Sequence, residues 1–335
     1  MVSERSLPRK GNAVRVPRSI AITGLRSFVG KRMLRRVREA APDAQLVGID
    51  LQRPYGLEPS VRFHGLDLAE PTADARLADA LQKHGVEALL HAAFRSEPRA
   101  DVEADHELEA IGTLHVLNAC AAAGVARLVV ASTTMVYGPR PDNPHFLVED
   151  HPLRGHPDAH NVQNRAEAER LVAAWRERHP SVEVTVLRPC WIFGPSYEDH
   201  VTRYFARSTV PTVLGWDPLL QLVHEEDCLH AFETALLDGR PGVYNVVGRG
   251  VVPLSRLLRA AGKRPLPVPA PLLYRLGRYP SEAQTGDPPA GFFDYLRYLW
   301  VADGERGFAA FGEPEYTTLE AWMSFVSSRR MRRYR

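Results

Sequence analysis

The stretch SIAITGLRSFVGKRMLRRVREAAPDAQLVGID, Ser19 to Asp50, decides the fold. Ile20, Ala21 and Ile22 form a short apolar run that ends in the Thr23-Gly24 turn, and Val29, Met33, Leu34 and Val37 then recur at helical spacing. The pattern predicts strand, tight turn, helix. A second apolar run, Leu46 to Ile49, closes on Asp50. That places a carboxylate about 20 residues beyond the glycine turn, the distance at which it reaches the adenosine ribose of a dinucleotide held on a strand-helix-strand unit. Gly24 lets the chain turn sharply, Gly30 lets the helix approach the strand, and the free amides at the helix start face a pyrophosphate. The middle glycine position of such a loop holds Ser27, whose Cβ and hydroxyl are expected to crowd the phosphate approach.

Outward from this unit, strands alternate with helices. Val61 to His64 reads as a short strand, Ala73 to His84 as a helix, Ala88 to Ala92 as a buried strand, and Asp101 to Ala123 as a helix capped by Gly124. Arg127 to Ser132 is the next strand. A polar, proline-rich loop follows to Ala159, then a helix over Asn161 to His179 and a strand over Val182 to Leu187. The alternation predicts an α/β fold, a Rossmann-type doubly wound parallel sheet. Beyond it prolines are dense, and LLQLVHEED and GVYNVVG read as isolated strands of a smaller region folded over the strand ends. The expected organisation is a basic tail over 1–18, a dinucleotide-binding domain over 19–190, a smaller C-terminal substrate region over 191–325 interleaved with the last sheet strands, and a basic tail over 326–335.

The chain has 335 residues and a formal net charge of +2, so bulk charge points to no nucleic-acid partner. No run approaches the roughly 20 apolar residues of a membrane span, and no apolar segment follows the early basic residues as in a secretory signal. Cys120, Cys190 and Cys228 are scattered and lack metal-ligand spacing, which predicts small buried residues in a reducing cytoplasm and no metal site.

With these residues in place, the chain resembles the extended short-chain dehydrogenase/reductases, the family of NAD-dependent nucleotide-sugar epimerases and dehydratases. TGLRSFVG resembles the family's glycine loop, Asp50 its ribose acid, Asp67-Leu68 its adenine-side pair, HAAF at His91 to Phe94 its fourth-strand motif and STTMVYG its catalytic-strand segment. RPCWIFGP, VHEED, GVYNVVG and FAAFGEPEYTT follow in the family's order. The resemblance implies a cofactor site made of Gly24, Ser27, Phe28, Val29, Gly30, Asp50, Asp67, Leu68, Ala92, Arg165 and Pro189. It implies NAD as cofactor, because a carboxylate at position 50 accepts from both ribose hydroxyls and repels a 2′-phosphate. Arg26 and Arg53 keep NADP open as the lesser alternative. A small-molecule substrate and a homodimer through the helices over 101–123 and 161–179 are further implications.

The resemblance also implies where chemistry is altered. The family's proton-exchanging tyrosine and its partner lysine, four residues apart, align with Asn161 and Arg165. An amide is no general base, and a guanidinium stays charged, able to bind ribose hydroxyls but not to relay a proton. Thr133 keeps the hydroxyl of the family's substrate-binding position, and His160, one residue before the tyrosine position, is a second catalytic candidate. Tyr137 belongs to a structural segment. Glu109 stands where the family has asparagine. Leu220 stands where nucleotide-sugar enzymes carry a diphosphate-clamping arginine, for which Arg203 or Arg207 are the available substitutes. Trp191, Ile192 and Phe193 add apolar surface near the nicotinamide end. Three readings remain open: an atypical NAD-dependent oxidoreductase or epimerase with an apolar substrate, a non-catalytic dinucleotide-binding scaffold or redox sensor for a protein partner, or a peripheral protein drawn to an anionic surface by the basic C-terminal arginines.

Overall fold

The protein, described by a computed structural model over residues 16–95, 102–277 and 291–332, is built on a seven-stranded parallel sheet. Its strands are β1 (Ser19–Thr23), β2 (Gln45–Asp50), β3 (Arg62–Gly65), β4 (Ala88–His91), β5 (Arg127–Ala131), β6 (Glu183–Pro189) and, after four short strands outside the sheet, β11 (Gly242–Val246). The order is β11-β6-β5-β4-β1-β2-β3. From β1 the chain winds one way to β3, then returns to the other side of β1 at β4. That reversal opens a crevice beyond the carboxyl ends of β1 and β4, where ligands bind in such sheets.

The central strands carry helices on both faces, and their side chains follow from it: every residue of β1, β4 and β5 is buried, with no polar alternation. Around them lie α1 (Phe28–Ala40), α2 (Ala73–Lys83), α3 (Val102–His106), α4 (Gly112–Ala123), α5 (His160–Arg178), α6 (His200–Ala206) and α7 (Glu225–Asp238). The helix expected from Asp101 starts within the described residues at Val102 and is interrupted by one π-turn, Glu107–Ile111, before α4 ends at Gly124 with φ +69°. Such turns concentrate near functional sites because they displace side chains from helical register.

Two expectations are corrected. GVYNVVG is no isolated strand: β11 pairs in parallel with β6, Tyr244 opposite Leu187, and forms the edge of the main sheet. Its first three residues are only half-buried, the pattern of an edge, which hid its membership. The second concerns 326–335, expected as a solvated tail. The helix Thr318–Arg332 carries it as far as Arg332, because Ala321, Trp322, Phe325 and Val326 form a buried face at helical spacing. Arg330 donates to the Ala261 carbonyl at 2.7 Å. The remainder of that segment, 333–335, and positions 1–15 of the N-terminal tail lie outside the described residues.

The smaller region holds β7 (Trp191–Phe193), β8 (Thr209–Val213), β9 (Leu219–Leu220) and β10 (Leu222–His224), each in a two-stranded sheet. β10 runs parallel to β7, so the RPCWIFGP and VHEED segments lie side by side over the strand ends. Among the described residues no helix is long and apolar enough to cross a membrane.

Candidate functional site

The glycine loop builds the first half of the site. Gly24 has φ +72°, and a Cβ there would lie 2.4 Å from the Ala92 carbonyl oxygen, so only glycine lets the loop lie against the end of β4. A Cβ on Gly30 would lie 2.2 Å from the Gly24 carbonyl, the close approach that brings α1 onto the loop. Ser27 departs from expectation. It is the N-cap of α1, its hydroxyl donating to Gly24 O at 2.7 Å and accepting from Gly30 N at 3.0 Å. The hydroxyl is folded back into the loop, and serine is here for the reason serine caps helices.

Beside the loop a cleft of about 510 Å³ runs over the ends of β1, β2 and β4, lined by Gly24, Ser27, Asp50, Asp67, Leu68 and Ala92 among others. Asp50 receives the Arg26 amide at 3.0 Å and the Arg26 Nε at 3.0 Å. The Arg26 guanidinium therefore already stands at the Asp50 carboxylate, while Arg53 lies 5.7 Å from the centre of the Phe63 ring. Asp67 accepts from Ala69 N at 3.0 Å, fixing the turn that carries Leu68.

The cleft continues, through the shared residues Ser27, Ala92, Phe94 and Arg95, into a smaller cavity of about 130 Å³. Here the structure assembles Phe28, Val29, Thr133, Asn161, Arg165 and Pro189, residues from four separate segments. Gly30 lines neither space and acts through packing. His160 opens α5, is exposed, and lines neither the cleft nor the cavity, so geometry removes it from the catalytic candidates. Of the three apolar residues at β7, Trp191 and Ile192 line the cavity, whereas Phe193 faces Phe205, Trp322 and Phe325 in the core.

Arg165 is held rigidly. It lies 4.1 Å from the Phe94 ring centre, donates to Ala131 O and Arg95 O at 3.4 and 3.3 Å, and stands 3.7 Å from Glu109. Glu109 is fully buried on the π-turn and accepts from Arg95 N at 2.8 Å. Burial pushes its pKa up to about 7; Arg165 and the Arg95 amide oppose that rise, and nearby Asp105 adds to it. Burial likewise lowers the Arg165 pKa, against the pull of Glu109. Glu109 and Arg165 thus face each other as a buried pair.

Tyr137 is bound into a different network. Its hydroxyl donates to Asn245 Oδ1 at 2.6 Å and accepts from Arg188 at 2.8 Å, while Arg188 grips both oxygens of buried Glu169. This assigns it to structure. His91 is equally structural: it bridges the hydroxyls of Thr23 and Thr113 at 2.8 and 3.0 Å, and burial lowers its pKa to about 3, so it stays neutral. Thr133 caps a short 3-10 helix by accepting from Met135 N at 3.2 Å. Leu220 is buried, and neither Arg203 nor Arg207 lines the cleft or the cavity.

The sequence reading missed Tyr197, Asp199 and His200, which also line the cavity. They follow RPCWIFGP directly, and the proximity of that motif to the nicotinamide end was the available signal.

Comparison with known proteins agrees with this architecture. The model of the NAD dependent epimerase/dehydratase family matches residues 20–247. The chain belongs to the NAD-dependent epimerase/dehydratase family. An uncharacterised protein of Mycobacterium tuberculosis is 32% identical over 324 residues, covering 93% of this chain and 84% of the relative. Among solved structures, dTDP-glucose 4,6-dehydratase from Bacillus anthracis in complex with NAD superposes with a TM-score of 0.70 at 17% identity, covering 93% of this chain and 96% of that one. UDP-glucose 4-epimerase from Thermus thermophilus in complex with NAD gives 0.69 at 21%, covering 93% and 99%. Membership of the epimerase/dehydratase family assigns NAD as cofactor, and the residues fit it: a glycine cradle that any Cβ would fill, and a carboxylate at the end of β2.

Proposed function

We propose that the protein is an NAD-linked oxidoreductase or epimerase acting on a small, largely apolar hydroxyl or carbonyl compound. The observation that carries this is one cavity, continuous with the dinucleotide cleft, in which Thr133, Asn161 and Arg165 meet glycine-loop residues Ser27, Phe28 and Val29. Gly24, Ser27 and the start of α1 would hold the pyrophosphate, Asp50 the adenosine ribose, and Asp67 with Leu68 the adenine side. Bound NAD supplies a hydride acceptor or donor.

The chain's own residues set the rest. Thr133 offers a hydroxyl to the substrate oxygen, Asn161 can donate and accept but takes no proton, and Arg165 is a fixed charge suited to ribose hydroxyls. Met135, Trp191, Ile192 and Phe232 supply apolar wall. The Trp191 Nε1 is buried with no partner among the described residues, which favours a substrate carrying a polar acceptor. A volume of about 130 Å³ is small beside the ~300–1,000 Å³ of typical ligand pockets. Together with Leu220 at the clamp position, this argues against a nucleotide sugar.

The Arg165–Glu109 pair favours a second reading, a dinucleotide-binding scaffold or redox sensor, because it stands where the family relays protons. A panel of short secondary alcohols with NAD and of the matching ketones with NADH separates the two. Substrate-dependent change in reduced-cofactor absorbance supports the enzyme; saturable cofactor binding with no turnover across the panel supports the sensor. Outward positions of α4 and α5, such as Asn118, Ala122, Glu167 and Ala174, form the face that a second copy would cover in a homodimer.

A further inference from the structure

The cavity contains a phenol that does not come from the family's position. Tyr197 lies in the loop between β7 and α6, half-buried, with its ring edge-on to Phe28 at 4.8 Å between centroids, and Phe28 opens the helix behind the glycine loop. The same cavity is lined by Asp199, two residues on in the loop, and by Arg165, and both charges act on the phenol. The loop is fixed from outside the cavity. Glu225, buried at the start of α7, accepts from Ser196 N at 2.9 Å, Ser196 Oγ at 2.6 Å and Tyr197 N at 2.7 Å. Asp199 is itself anchored as the N-cap of α6, accepting from Thr202 N at 2.8 Å.

Resting on the function proposed above, we propose that Tyr197, backed by Asp199, is the proton-transfer group of this cavity, in place of the tyrosine the family carries where this chain has Asn161. In the oxidising direction the substrate O–H bond breaks and its proton goes to Tyr197 Oη. The Tyr197 Oη–H bond breaks in turn and that proton goes to the Asp199 carboxylate. The tyrosine ends neutral and Asp199 ends protonated, while the carbon-bound hydrogen leaves with its electron pair to the oxidised nicotinamide and the C=O bond forms. The reductive direction is the reverse.

Two features favour Tyr197 over its neighbour His200. The phenol packs on the glycine-loop side of the cavity and beside Arg165, whereas His200 lies edge-on to Phe292, 6.1 Å between centroids, on the side of the C-terminal region. Moreover, Asp199 lines the same cavity and offers a carboxylate for the proton the phenol gives up. Burial, then the Asp199 carboxylate, then the Cys228 thiol hold the Tyr197 pKa well above its usual range, with Arg165 pulling the other way. A phenol held so is a donor and relay, and the carboxylate behind it is the base.

The test has two arms. In cofactor-free protein labelled with ¹³C at tyrosine Cζ, the Tyr197 resonance is identified by its loss in Tyr197→Phe and followed through alkaline pH. Asp199→Asn, which keeps the helix cap, is expected to move its titration to lower pH; an unchanged midpoint overturns the pairing. With an active substrate, Tyr197→Phe is expected to lower turnover about 10²–10⁴-fold while NADH affinity is kept, and Asp199→Asn to remove the acid limb of the pH–rate profile. Full turnover in Tyr197→Phe, or its loss only in His200→Asn, overturns the assignment. Wild-type protein that binds NADH yet turns over nothing overturns the function above, and the catalytic role with it, while the resonance arm still decides the pairing.

Discussion

Replacing Glu109 by Gln is expected to stabilise the protein at alkaline pH, although the substitution deletes one partner of a buried ion pair. The carboxyl is fully buried, 3.7 Å from Arg165, and burial raises its pKa from 4.5 to about 7 in the folded state. A folded-state value above the unfolded one means that the native protein binds the extra proton. The contribution is therefore fully present below about pH 4.5, declines as pH rises and is lost once pH passes about 7. At 1.36 kcal/mol per tenfold change in proton affinity, the rise from 4.5 to about 7 corresponds to ~3 kcal/mol. Glutamine imitates the protonated acid and cannot ionise. Denaturant unfolding of wild type and Glu109→Gln across this pH range cancels the other titrating groups in the difference. The two are expected to coincide under acid conditions and to separate by ~2–3 kcal/mol in favour of Glu109→Gln at alkaline pH. If the variant is instead the less stable protein at alkaline pH, Glu109 is ionised at little cost and its pairing with Arg165 is net favourable, which refutes the reasoning.

Arg188→Met leaves the Glu169 carboxylate buried with the Ser132 hydroxyl and removes a donor from Tyr137, so denaturant unfolding is expected to show a loss of ~3–5 kcal/mol. Gly30→Ala forces a Cβ to 2.2 Å from the Gly24 carbonyl. It is expected to lower stability by ~1–3 kcal/mol and to weaken NADH binding, measured on the fraction that remains folded.

How much was legible depends on how local each signal was. The Ser19–Asp50 unit was readable because turn, helix face and the carboxylate that ends β2 are set by adjacent residues. Thr133, Asn161 and Arg165 line one cavity, and their motifs could be read because they sit at fixed offsets from β5 and α5. Ser27 was read as an obstruction, although serine just before a helical apolar run is also an N-cap signature. His160 failed because one residue of displacement at a helix start turns a side chain by about 100°, here out to solvent. Tyr197 and its support from Glu225 were not legible. They are 28 positions apart, and only the pairing of β7 with β10 brings their segments together.

The account rests on the cleft over β1, β2 and β4 being an NAD site, and titration with NADH and NADPH, read by cofactor fluorescence and thermal shift together, tests that most directly. Saturable NADH binding, stronger than NADPH binding and weakened by Asp50→Asn, is the predicted result, with stabilisation of ~2.7 kcal/mol when NADH is at a hundred times its Kd. Absence of saturable binding by either nucleotide would contradict the account. NADPH preference in the wild type would contradict the assignment of Asp50 as the ribose acceptor and would give Arg26 the 2′-phosphate instead.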